Sequence, residues 1–282
     1  MSVRAVVYKD VLDVRRSKLV WLVGVHYALL LVLFFAHVRV TGSDHTSATI
    51  EALWGMAFVG GVFVPAIALV AAYLAIAGER ESGSIRHLLS MPVTRREVVL
   101  GKYVSRGAIV AVSLFAGFAV AAILARLWFG PFDPRIFAGI ATLTVLYALA
   151  YVAVAIGVSA LAESRSRAML GAFGFYVVTN LMTLNDDVSG IAGIDYVLNG
   201  LLDLGVSEGA IEFLGIVTNP TRAYLLSILG VFPSQVTADM ALPQPASLPW
   251  YVQPEIAVLV LVVWLVVPVT VGLRAFDRAD IT

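Results

Sequence analysis

Apolar positions in this chain come in long uninterrupted runs, without the alternation or one-in-three spacing of elements that face water on one side. Six runs are long enough to cross a bilayer, at 19–38, 52–77, 104–129, 136–161, 168–184 and 256–273, the fifth being the shortest. Polar stretches at 1–18, 78–103 and 185–255 separate or flank them. A further stretch, 210–232, is fairly apolar but carries Glu212, Asn219, Pro220 and Arg222 near its middle, each costly in hydrocarbon. It is expected to form two short helices broken at Asn219-Pro220, with Pro220 in a first helical position, dipping into the outer leaflet or lying on it.

Composition agrees with that pattern. Of 282 residues, 60% are hydrophobic and 13% charged, and the mean hydropathy is +0.91. A soluble enzyme, a nucleic-acid binder and a disordered chain are excluded, because a water-exposed surface at this length needs far more polar residues. The absence of cysteine excludes disulfides, thiolate metal sites and cysteine nucleophiles. The fold class is therefore an all-α integral membrane protein: one transmembrane domain over 1–282, with the lipid bilayer as its solvent and no nucleic-acid partner.

Charge orients the spans. With the N-terminus inside, fifteen of the nineteen basic residues fall on the inner side, leaving only Arg39, Arg126, Arg135 and Arg222 outside. That bias puts both termini in the cytoplasm of a multi-pass plasma-membrane protein. Residues 1–18 place Val3, Val6, Val7, Val11 and Val14 on one helical face, with Asp10 intruding on it. This reads as an interfacial helix, or alternatively as a disordered basic tail.

The inner loop 78–103 is the most patterned polar stretch. Residues 80–90 can form a short helix with Ile85, Leu88 and Leu89 on one side, stopped by Pro92. Thr94 followed by Glu97 predicts a capping box that starts the next helix. A short transverse helix, a proline corner and a capped span would expose an apolar ridge suited to a partner's groove, although such a loop could also merely turn the chain.

The run Glu79, Arg80, Glu81, Ser82, Gly83, Ser84, then Leu88, Leu89, Ser90, Met91, Pro92, Val93, Thr94, Arg95, then Gly101 and Lys102 resembles the pattern E-x-E-x-G-(S/T)…L-L-S-x-P-(V/L)-(S/T)-R…G-K. That pattern belongs to membrane subunits of ABC type-2 transporters, including permeases of the nitrous-oxide-reductase-maturation and multidrug-export kinds. Asn219-Pro220 with Arg222, Ala223 and Tyr224 is similar to the stretch before the last span in the same group. The resemblance implies six transmembrane helices, an N-terminal interfacial helix, a cytoplasmic coupling helix, and short extracellular helices between spans five and six. It implies that Glu79, Arg80, Glu81, Gly83 and Ser84 cap and orient the coupling helix, with Pro92 and Arg95 at its corner and Leu88 and Leu89 seated in a separate ABC ATPase subunit. It further implies a second copy of the permease and a prokaryotic plasma membrane.

The chain carries no nucleotide site of its own. Gly78 to Ser84 has the glycine spacing of a phosphate-binding loop, but Ser84 stands where lysine is needed and two glutamates would face the phosphates. ATP and magnesium are accordingly expected on the partner ATPase, with no cofactor or metal in this chain. Ionisable residues are almost absent from the spans, which disfavours a proton- or sodium-coupled carrier and points to a hydrophobic or amphipathic cargo. Gly60, Gly61, Pro65 and Pro268 offer kink points, and Ser113, Gly117 and Ala121 suit close helix packing. The rival expectation is a non-transporting scaffold or receptor that holds an extracytoplasmic partner through 185–255.

Overall fold

A computed structural model describes residues 6–8, 10, 12, 18–41, 45–181, 183, 190–239 and 242–279, with side chains left aside at 18–24, 45–50, 181 and 190. The described residues form helices joined by turns and short loops, with no strand among them. The long helices are α1 (Lys18–Thr41), α2 (His45–Ala72), α5 (Arg95–Trp128), α6 (Pro134–Leu161) and α12 (Pro254–Arg278). Between α2 and α5 lie the short α3 (Ala77–Glu81) and α4 (Ser84–Leu89). After α6 come α7 (Arg165–Tyr176), which continues as a π-helical turn over Val177–Leu181, then α8 (Gly190–Asp195), α9 (Glu208–Thr218), α10 (Pro220–Leu229) and α11 (Ser234–Asp239).

Among the described residues, four helical stretches are long and apolar enough to cross a bilayer: Glu51–Glu81, α5, α6 and α12. They coincide with the expected spans at 52–77, 104–129, 136–161 and 256–273. The expected span at 19–38 falls on α1, which is apolar over Val25–Thr41. The expected span at 168–184 falls on α7 and its π-helical turn, with residues 182 and 184 outside the described set. Of the N-terminal interfacial helix, only 6–8, 10 and 12 are described, all helical, together with Lys18 at the start of α1.

Helix starts follow local chemistry. Thr94 caps α5 by accepting from Glu97 N, and Glu97 Oε2 accepts from Thr94 N at 2.8 Å, the reciprocal box expected from the sequence. Asp133 caps α6, where Pro134 fills a first-turn position that has no use for an N–H. Asn219 ends α9 and begins α10 by accepting from Thr221 N and Arg222 N, so 210–232 is the broken pair that its polar residues dictate. The pair does not lie flat on the bundle. Pro220, Thr221, Ala223 and Tyr224 are buried, and α10 packs against α12, α6 and α2.

Of the four stretches long enough to cross a bilayer, α6 is the most buried: 72% of its most apolar window is inside the protein, against 28% for α12. It meets α12 where Gly157 faces Pro268 and Gly272. A Cβ on Gly157 would stand 2.5 Å from the Pro268 carbonyl oxygen, and one on Gly272 would stand 2.8 Å from Gly157 Cα. Only glycine allows that approach. On the other side, buried Gly117 and Ala121 of α5 sit on the face toward α1, where the Tyr27 ring packs edge-on against Phe118 at 5.6 Å.

Candidate functional site

The turn between α2 and α5 is bound into the bundle at every acidic position. Helix α3 starts where Ser159 Oγ of α6 accepts from both Ile76 N and Ala77 N at 3.0 Å, a buried hydroxyl meeting two otherwise orphan donors. Glu79 Oε1 pairs with Lys102 Nζ at 2.8 Å. Arg80 Nη1 donates to the Ala162 carbonyl at 3.0 Å, and Glu81 Oε2 accepts from Arg165 N at 2.6 Å, capping the start of α7. The helix expected over 80–90 is broken at Gly83, whose φ of 75° is left-handed and favours glycine. Ser82 and Ser84 bond to each other there at 3.0 Å.

Behind the turn lies a buried charge cluster that the sequence did not reveal. Lys102 Nζ also reaches Asp10 Oδ1 at 3.2 Å, and both side chains are almost completely enclosed. Arg106 Nε meets Asp10 Oδ2 at 3.0 Å, its Nη2 meets Oδ1 at 3.2 Å, and its Nη1 donates to the Ala71 carbonyl. Ser105 Oγ donates to Asp10 as well. Burial alone would raise the Asp10 carboxyl. Lys102 and Arg106, with the hydroxyl of Ser105, outweigh it and hold the group below its ordinary value of 3.8. Two acids and two bases thus neutralise one another across the N-terminal helix, the turn and α5. The available signal was Asp10 itself, an acid on the apolar face of the N-terminal helix.

The apolar ridge expected on the turn is not exposed. Ile85 and Leu88 are buried in the bundle's own core and Leu89 is half-buried. Leu88, expected in a partner's groove, thus packs within its own chain here: the amphipathic face of α4 turns inward, because the apolar surface nearest to it belongs to the same chain. What faces outward is polar: Ser82, Gly83, Ser84, Arg86, His87 and Ser90, with Pro92 also exposed. Arg95 sits apart from that face. Its Nη1 donates to the carbonyls of Phe276, Asp277 and Ala279, closing the C-terminus of α12.

A second polar cluster lies inside the bundle. Pro65 in α2 has no N–H, which leaves the Gly61 carbonyl without its helical donor. Tyr147 Oη of α6 donates to that carbonyl at 2.9 Å. Its oxygen also meets Thr221 Oγ1 of α10 at 2.9 Å, and Thr221 meets Tyr151 Oη at 2.8 Å. Tyr151 Oη is shared with Thr179 and Asn180. Tyr224 stacks on Tyr147 at 4.3 Å and bonds to Thr144 and to the Ala57 carbonyl. Beside this cluster, a cavity of about 400 Å³ is lined by Trp54, Phe58, Thr183, Glu212, Arg222 and Leu225 among others.

A family model, the ABC-2 family transporter protein, matches residues 4–281. The chain belongs to the ABC-2 transporter family. It is 30% identical over 248 residues to the probable ABC transporter permease protein NosY of Stutzerimonas stutzeri, covering 84% of this chain and 82% of that protein. It is 34% identical over 119 residues to the probable ABC transporter permease protein NosY of Pseudomonas aeruginosa, covering 41% of this chain and 42% of that one. The chain is thus a multi-pass membrane subunit of permease type, a kind that implies an ATPase partner and typically lacks an ATPase site of its own. Among the described residues, no group of His, Cys, Asp or Glu is arranged to hold a metal ion.

Proposed function

We propose that this chain is the membrane-spanning subunit of an ATP-driven exporter. Two copies cross the plasma membrane of a prokaryote six times each, with both termini in the cytoplasm, and two separate ATPase subunits bind the ATP and magnesium. The turn over α3 and α4 is the coupling element. The observation that carries this reading is the way the turn is held. Glu79, Arg80 and Glu81 are tied to α5, to the loop after α6 and to the start of α7, while Arg86, His87 and Ser90 stand exposed on the opposite face. A push on the exposed face is passed to three parts of the bundle at once. Apolar spans and a cavity whose mostly apolar wall also carries Glu212 and Arg222 favour a hydrophobic or amphipathic cargo.

The test is reconstitution with a candidate ABC ATPase in lipid nanodiscs. A stable complex and an ATP hydrolysis rate that depends on the permease are expected. The double variant Arg86→Glu, His87→Glu should weaken that binding about tenfold or more, since it places two anions in the contact while leaving the buried side of α4 unchanged. A complex that forms with unaltered affinity in this variant would remove the exposed face from the docking surface.

A further inference from the structure

We infer that Lys102 is a positioning residue that relays movement of the turn to α5 and the N-terminal helix, through a strong contact on one side and a releasable one on the other. This rests on the coupling role proposed for the turn and adds the path by which motion leaves it.

The two sides of Lys102 differ in how they are held. Asp10 is fixed from several directions, by Lys102, by two nitrogens of Arg106 and by Ser105. All three partners lie on α5, so the N-terminal helix around residue 10 and the start of α5 form one unit. Among the described residues, Glu79 has a single side-chain bond to the cluster, Oε1 to Lys102 Nζ at 2.8 Å. Its other oxygen, Oε2, is buried with no hydrogen-bond partner among the described residues. Glu79 is also the more exposed acid, with 22% of its side chain accessible against 6% for Asp10. The Asp10 side is over-determined, and the Glu79 side is one charge-assisted bond beside an unsatisfied oxygen.

Stability is a poor explanation for such a cluster. Buried ion pairs often gain little over well-packed apolar residues of similar volume, because desolvation offsets the attraction. What charges supply here is direction: the Lys102 ammonium can follow either carboxylate, and a turn that moves pulls on Lys102 only while Glu79 stays paired. The geometry is that of a coupling between two bodies, one of which carries the exposed face.

The chain contains no cysteine, so introduced cysteines can be labelled without background. Spin labels at Val40→Cys and Trp250→Cys, both strongly exposed and away from the turn, read motion in the permease–ATPase complex without any knowledge of cargo. Wild type should show a nucleotide-dependent change in the label-to-label distance. Lys102→Met should abolish that change while ATPase binding stays within twofold. Glu79→Gln, which keeps the shape at a partly exposed position, should reduce it by half or more, and Lys102→Arg should restore it. Thermal melts accompany each variant. If Lys102→Met fails to fold, the Glu79→Gln result decides. A folded Glu79→Gln complex with the full wild-type distance change overturns the relay. If wild type binds no ATPase, the proposed coupling function fails first, and the relay falls with it.

Discussion

Tyr147 donates its phenol to the Gly61 carbonyl, the one group in α2 that Pro65 deprives of a helical partner. A kink in one span is thereby closed by a side chain from another. Removing the phenol leaves a buried carbonyl unsatisfied, at a cost of about 1–3 kcal/mol. Tyr147→Phe should therefore lower the melting temperature of the purified protein. In a Pro65→Ala background, where residue 65 regains its N–H, the same change should cost less. A penalty that stays the same in both backgrounds would separate Tyr147 from the proline.

Gly157 faces the Pro268 carbonyl oxygen so closely that a methyl group would overlap it. Gly157→Ala should destabilise by about 1–3 kcal/mol, through overpacking against backbone that cannot rotate away. Gly174 has nothing within 4 Å of its would-be Cβ. Gly174→Ala should be neutral or slightly stabilising, as alanine favours helix over glycine. Thermal unfolding of the two variants side by side checks the contrast.

The Asp10 carboxylate is held below 3.8 by Lys102 and Arg106 against the effect of burial. A depressed native value means that its contribution is fully present above the ordinary carboxylate range and is lost as pH falls through the native value. Asp10→Asn should cost about 3 kcal/mol near neutral pH, because buried Lys102 is left with Glu79 alone and part-buried Arg106 loses the carboxylate that two of its nitrogens meet. The gap between wild-type and variant melting temperatures should be flat from pH 8 to pH 5 and close below about pH 4. A gap that widens on acidification would contradict the pairing.

Leu88 is buried in the bundle core. Leu88→Asp should cut the yield of folded protein with no ATPase present, since an unpaired carboxylate cannot be buried cheaply. Size-exclusion profiles of the lone permease decide this. A monodisperse, stable Leu88→Asp protein that fails only in ATPase binding would return Leu88 to the docking face.

What could be read from the sequence was what is local or periodic. Thr94 and Glu97 sit three apart, and each supplies the bond the other lacks, so the start of α5 was visible in two letters. Asn219 and Pro220 carry a cap and a first-turn residue in succession, and the break between α9 and α10 follows. Relationships that depend on tertiary placement were not visible. Asp10 and Arg106 are 96 positions apart, so the acid looked like a flaw in an amphipathic face until α5 was set beside it. Leu88 lies on the face that periodicity indicated, but periodicity does not say whether that face meets a partner or the chain's own core. The break at Gly83 splits a helix expected to be continuous, because the serines on either side bond to each other around a left-handed residue.

The hydroxyl cluster has a consequence for biogenesis. Tyr147 and Tyr151 lie on α6, synthesised some seventy residues before Thr221, which touches both phenols, and Tyr224, which stacks on Tyr147. A nascent chain that has delivered its first spans to the bilayer still holds an incomplete seam of tyrosines. The α9–α10 pair is the keystone that closes it, so assembly of the bundle finishes late. A ribosome stalled before residue 219 would leave membrane quality control an open polar seam to recognise.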